Sequence, residues 1–217
     1  MRRLKTGNTV GSANTDFCNL LRSDAETAYA IGLWCTDGYH RTSSIGLSNT
    51  DQDLIRKFSL FLLREFPGER LKMRLYYPDD ALRRTVAYHV YVNCRALLRR
   101  FKELKENPAT FITADLIWPY FAGRFDGDGS VAKDFYRDCR IVYSSDVEAR
   151  KDLALLEMMS LRLCRVYHYK KARTFCLYIS RLEVRKFLSG IYPYSVKLQK
   201  SVFAPRRDFP EKEDDRF

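Results

Sequence analysis

Two nine-residue segments of this chain repeat one design. The first is Ala30-Ile31-Gly32-Leu33-Trp34-Cys35-Thr36-Asp37-Gly38, the second Phe121-Ala122-Gly123-Arg124-Phe125-Asp126-Gly127-Asp128-Gly129. Each is an apolar, helix-compatible run with an internal glycine, closing on Asp-Gly. A glycine inside a helix costs about 1 kcal/mol relative to alanine. Gly32 and Gly123, at matching places, therefore imply two helices whose backbones cross closely. Such a crossing brings both helix C-termini together, and with them Asp37 and Asp128. These aspartates lie 91 positions apart, close to the length of a small domain. The chain is thus constrained to two related halves around a common seam.

The pattern of elements agrees. Ser23 and Glu26 fit a capping box opening a helix to about Thr36. Residues 39–49 alternate like a hairpin, with Ile45 and Leu47 facing one way and Ser44, Gly46 and Ser48 the other. A helix follows from Asp51 to near Pro67-Gly68. Leu71, Met73 and Leu75 mark a half-buried strand, Pro78-Asp79-Asp80 a turn, Val86–Val92 a second strand, and residues 94–105 a basic helix. The order then repeats: a helix over 113–126, strands over 129–133 and 138–144, a helix from Asp146, strands over 161–169 and 173–180, and a short helix over 181–189. Leu47-Ser48-Asn49-Thr50-Asp51 echoes Val142-Tyr143-Ser144-Ser145-Asp146, which implies a second hairpin longer by four residues. The expected organisation is a flexible basic arm over 1–22, halves over 23–106 and 107–204, and a tail over 205–217.

Charge narrows the partners. Thirty-eight Lys and Arg against 27 Asp and Glu leave +11, the balance of a protein that meets a polyanion. Six cysteines form no C-x-x-C pair and three histidines no H-x-x-x-H pair, which argues against zinc. No signal peptide or 18-residue apolar span is visible. The expectation is an intracellular protein with free thiols and no membrane. The aromatic content reads as core.

Each helix end carries about half a negative charge from its free carbonyls. An aspartate there is disfavoured unless a cation fills the gap. Clustered carboxylate and carbonyl oxygens suit Mg²⁺, which takes one or two carboxylates together with substrate phosphate. A small acidic centre in a basic protein is the layout for metal-assisted attack on a phosphodiester.

Phe121–Gly129, with Ala30–Gly38 as its weaker partner, resembles the LAGLIDADG motif of homing endonucleases, in the monomeric two-motif class. The resemblance implies an α+β fold: two pseudo-symmetric αββαββα halves forming a saddle-shaped DNA-binding sheet. It assigns the metal-binding acids to Asp37 and Asp128 and metal-facing backbone carbonyls to Thr36 and Gly127, with Mg²⁺ replaceable by Mn²⁺ or Ca²⁺. Polar groups that hold attacking water map to Asn49 and Ser144; both also suit helix capping. Basic residues supporting the scissile phosphates map to Lys197 or Lys200 in the second half and Lys105 in the first. Cys35 stands where an acid is common, and Arg124, unusual in the motif, is expected to face out of the helix pair. The implied activity is a double-strand break in a long, asymmetric DNA target. A maturase acting on intron RNA and a non-cleaving DNA-binding protein of the same fold are the alternatives.

In such a fold one sheet face packs on helices and the other reads base edges in the major groove. The candidate readers are Arg41, Ser44, Ser48, Lys72, Arg74, Tyr76, His89 and Tyr91 in the first half. In the second they are Arg140, Arg165, His168, Lys170 and Arg173.

Overall fold

The computed structural model describes residues 21–77, 86–132 and 138–201. Most of the predicted arm with Cys18, the Pro78-Asp79-Asp80 turn and the predicted tail lie outside them.

The first half runs α1 (Ala25–Asp37), β1 (Gly38–Arg41), β2 (Ser44–Asn49), α2 (Gln52–Glu65), β3 (Lys72–Tyr76), β4 (Ala87–Asn93) and α3 (Arg95–Glu106). The second runs α4 (Ile117–Asp128), β5 (Gly129–Val131), β6 (Cys139–Tyr143), α5 (Asp146–Met158), β7 (Arg165–Tyr169), β8 (Thr174–Ile179), α6 (Val184–Ile191) and α7 (Val196–Lys200). Each half folds into an antiparallel sheet of one topology, β1-β2-β4-β3 and β5-β6-β8-β7. The repeat read from the sequence is a repeat in space.

Local chemistry sets the element ends. Asp24, not Ser23, caps α1 by accepting from the Thr27 amide at 2.8 Å. Glu26 instead pairs with Arg64 of α2 at 2.8 Å. Asp51 caps α2 and Ser145 caps α5. The strand expected over 161–169 begins only at Arg165, because Glu183 takes the amides of Arg162 and Leu163 at 2.7 and 2.9 Å. The helix α7 was not foreseen; Ser195 caps it.

Sheet register corrects the alignment of the halves. Gly38 pairs with Leu47, and Gly129 with Ile141. The second hairpin is therefore longer by three residues rather than four. The counterpart of Asn49 is Tyr143, not Ser144, and the two helix caps Asp51 and Ser145 coincide.

At the centre α1 and α4 pack along each other, and both are buried along nearly their whole length. A Cβ on Gly32 would fall on the Tyr120 carbonyl oxygen, and one on Gly123 on that of Tyr29. Glycine is required at both places because backbone meets backbone. Around this seam Phe58, Phe61 and Phe101 fill one half, and Phe121, Phe125 and Phe187 the other. The helix-facing sides of the sheets add Ile45, Leu47, Val90 and Val92, and Cys139, Ile141, Leu177 and Ile179. β3 outruns this cover, leaving Met73 and Leu75 about half exposed rather than half buried.

Candidate active site and nucleic-acid interface

Because α1 and α4 cross and run on together, their last turns end side by side. A Cβ on Gly127 would strike the Thr36 hydroxyl oxygen and lie 3.0 Å from Asp37 Oδ2. The Asp37 carboxylate thus sits against the end of the partner helix. Burial and the charge of Asp128 push Asp37 up to about 6. Asn49 opposes this by donating Nδ2 to Asp37 Oδ2 at 2.9 Å, as does the charge of Lys197. The Asn49 carbonyl oxygen also accepts from the Asp51 amide at 2.7 Å, so one side chain orients the acid and shapes the start of α2. Burial also raises Asp128, and Arg124, Lys197 and Lys105 hold it back.

Two lysines close the helix ends. Lys105 of α3 donates Nζ to the Cys35 carbonyl at 2.7 Å. Lys197 of α7 donates to the carbonyls of Phe125 and Gly129 at 3.1 and 2.9 Å, with Gly127 O at 3.5 Å. Cations at helix C-termini answer the dipoles of the last carbonyls. Lys200 is not among them: it turns away to Asp51 and Asp53, each at 2.7 Å. Ser144 lies exposed just beyond β6, lining a groove with Lys102, Lys105, Glu148 and Lys151.

At the place of Asn49, Tyr143 points inward and donates to Asp152 at 2.8 Å. It belongs to a buried network that sequence reading missed. Arg124, expected to face out, is 1% exposed. Its guanidinium meets Glu148 at 2.5 Å and Asp152 at 2.9 Å, and its Nε donates to the Tyr120 hydroxyl at 3.0 Å. The signal was present: Glu148 and Asp152 stand four apart on α5, beside the buried Ala149, Leu155 and Leu156. Acids in an apolar stripe require a buried cation.

Asp126 is also 1% exposed and faces the start of α7. It accepts from Tyr29 OH at 2.6 Å, Ser195 Oγ at 2.5 Å, and the amides of Val196 and Lys197 at 2.7 and 3.1 Å.

Among the described residues, no group of three or more His, Cys, Asp or Glu side chains could hold a metal ion. A metal at the seam would rest on two carboxylates, backbone carbonyls and oxygens from outside the protein. The donor chemistry fits Mg²⁺, which keeps several waters and needs one or two carboxylates.

The strand pairing assigns the sheet faces. Residues directly opposite in antiparallel strands share a face. The pairs Arg41–Ser44, Ser48–His89, Lys72–Tyr91 and Arg74–His89, with Tyr76 opposite Ala87, put all eight first-half candidates on the face away from the helices. There His89 Nε2 lies 3.1 Å from Ser48 Oγ, and Arg74 stacks over Tyr91. In the second half Arg140 and Arg165 share the open face, both opposite Tyr178. His168 does not: it pairs with Phe175 on the helix side and stacks on its ring at 4.6 Å. Lys170 and Arg173 lie in the β7–β8 turn, and Tyr167 and Tyr169 occupy the open-face positions that sequence reading passed over. Among the described residues, the strands themselves carry no acid on either open face, but Asp138, just before β6, pairs with Arg140 at 2.7 Å.

Residues 24–105 match the model of the LAGLIDADG-like domain. No curated protein sequence matches the chain. Among solved structures, variants of the homing endonuclease I-DmoI superpose with a TM-score of 0.61 at 16% identity, covering 79% of this chain and 97% of theirs. The homing endonuclease I-WcaI bound to its DNA recognition sequence gives 0.55 at 14%, covering 87% of this chain and 92% of that one. DUF199/WhiA from Thermatoga maritima gives 0.54 at 14%, covering 85% and 61%. Residues 24–105 match the LAGLIDADG-like domain, and the chain as a whole shares the fold of the homing endonucleases I-DmoI and I-WcaI.

Proposed function

We propose that this protein is a DNA endonuclease of homing type. It acts within the cell as a monomer and hydrolyses one phosphodiester in each strand of a long, asymmetric duplex site. One observation carries the reading: Asp37 and Asp128 converge at the ends of two helices whose backbones touch, between two sheet faces that present arginine, lysine and tyrosine. The I-DmoI structures in complex with DNA and Mn or Ca, and with target DNA and Mg, support DNA as substrate and a divalent ion as cofactor.

The residues divide the work. Asp37 and Asp128, with the Thr36 and Gly127 carbonyls, would hold the ion, which when bound supplies Lewis acidity to the scissile phosphate. Asn49 keeps Asp37 in one orientation. Lys105 and Lys197 hold positive charge beside the helix ends, where it opposes the negative charge that grows on phosphate oxygens during hydrolysis. The open faces take the major groove, where arginine and lysine distinguish guanine by O6 and N7. The halves share Tyr76 with Tyr169 and Tyr91 with Tyr178 but differ at most other open-face positions, so the preferred site is not a palindrome. Both acids are present, which favours cutting over the non-cleaving and intron-RNA alternatives.

Selection of cleaved molecules from a randomised duplex library with Mg²⁺ tests this. The expected product is a single family of non-palindromic sites, cut in both strands and untouched in EDTA. Recovery of no cleaved site with Mg²⁺ or Mn²⁺, while the library still binds, would overturn the endonuclease reading.

A further inference from the structure

We infer that Asp126 and Tyr29 are positioning residues for Lys197, so that each strand's chemistry depends on differently built support. This rests on the endonuclease reading. Asp126 lies about half a turn from the end of α4, two residues before Asp128. Its two oxygens accept four hydrogen bonds, three of them from the segment that begins α7. That helix has five residues and offers little rigidity of its own. The carboxylate fixes its first turn, and Lys197 reaches back from there to the carbonyls of Phe125 and Gly129. Backbone and ammonium of one lysine are thus both tied to the same helix end.

The fourth bond crosses the seam. Tyr29, from the first half, donates to Asp126 Oδ2, and Lys57 of α2 sits 3.6 Å over the Tyr29 ring while donating to the Tyr194 carbonyl. The first half therefore steadies a lysine belonging to the second. Among the described residues nothing equivalent holds Lys105. At the place of Asp126 the first motif has Cys35, whose only tie to Lys105 is its backbone carbonyl, and Glu148 stands farther off at 3.7 Å. One lysine is clamped at backbone and tip; the other is carried on the twelve-residue helix α3 and held at its tip.

The test uses a supercoiled plasmid carrying the site selected from the library, in single-turnover conditions with Mg²⁺. Tyr29→Phe removes one hydroxyl and leaves the buried ring in place; Ser195→Ala removes another partner. Loss of a hydrogen bond to a buried carboxylate corresponds to a fall of roughly 10- to 100-fold in a step that depends on it. Each variant should slow cutting of one strand by that amount, leave the other unchanged, and accumulate nicked circles. Lys197→Met should slow the same strand, and Lys105→Met the opposite one. Tyr29→Phe combined with Lys197→Met should be no slower than Lys197→Met alone. Asp126→Asn, if it folds, should behave like Lys197→Met, and amide exchange at Val196 and Lys197 should accelerate in it. Equal slowing of both strands, slowing of neither, or additive losses in the double variant would overturn the inference while leaving the endonuclease assignment standing. Absence of cutting by the unmodified protein would instead overturn that assignment, and this inference with it.

Discussion

Burial and the neighbouring Asp128 disfavour the ionised form of Asp37 in the folded protein. The folded value, about 6, lies above the unfolded 3.8, so between those limits the folded state binds more protons. Stability therefore falls as pH rises through that window and levels off above it. In EDTA, calorimetry should show Asp37→Asn losing this part of the pH slope and melting above the unmodified protein at pH 8. Identical slopes would mean that the carboxylate is solvated in the fold. With Mg²⁺ and the selected DNA, Asp37→Asn and Asp128→Asn should each lower cleavage at least about 100-fold and keep DNA affinity, as gel shift would show. Full activity in either variant would remove the acids from the chemistry.

At the scale of elements, the seam helices do the specifying. The sequence announced them because a mid-helix glycine is costly and two at matching places require a shared cause. The strand pattern was legible for the same sort of reason: Ile45, Leu47, Val90 and Val92 alternate with polar neighbours, and every first-half reader landed on the open face. What stayed hidden depends on contacts between remote segments. Arg124 looks like a surface residue until α5 brings Glu148 and Asp152 to it. Asn49 was found, but its partner in the second half was misplaced by one residue because the hairpin lengths differ. His168 alternates correctly with its neighbours, yet the phase was set by Phe175 on another strand. Arg124→Met should cost roughly 3–5 kcal/mol by leaving the buried Asp152 without its cation and Glu148 with only Lys105, at 3.7 Å. Chemical denaturation would measure it, and a loss below 1 kcal/mol would show that water reaches the network. Gly123→Ala drives a methyl group into the Tyr29 carbonyl and should cost roughly 1–3 kcal/mol.

For the whole molecule, charge and shape point the same way. Two sheet faces whose described strands carry arginine, lysine and tyrosine, on a chain of net charge +11, imply binding dominated by phosphate contacts. Neutralising about 6–10 phosphates lowers affinity by roughly 10³–10⁵ between 50 and 200 mM salt. A salt titration of the selected duplex should show that slope, and a flat response would place DNA elsewhere. The backbone contact at Gly32 and Gly123 has one more consequence. Helices locked this closely cannot slide, so Asp37 and Asp128 keep one separation whatever lies against the sheets. On the endonuclease reading proposed above, such a molecule should leave the same overhang at every site it accepts, the sheets choosing the place and the crossing glycines setting the stagger of the ends.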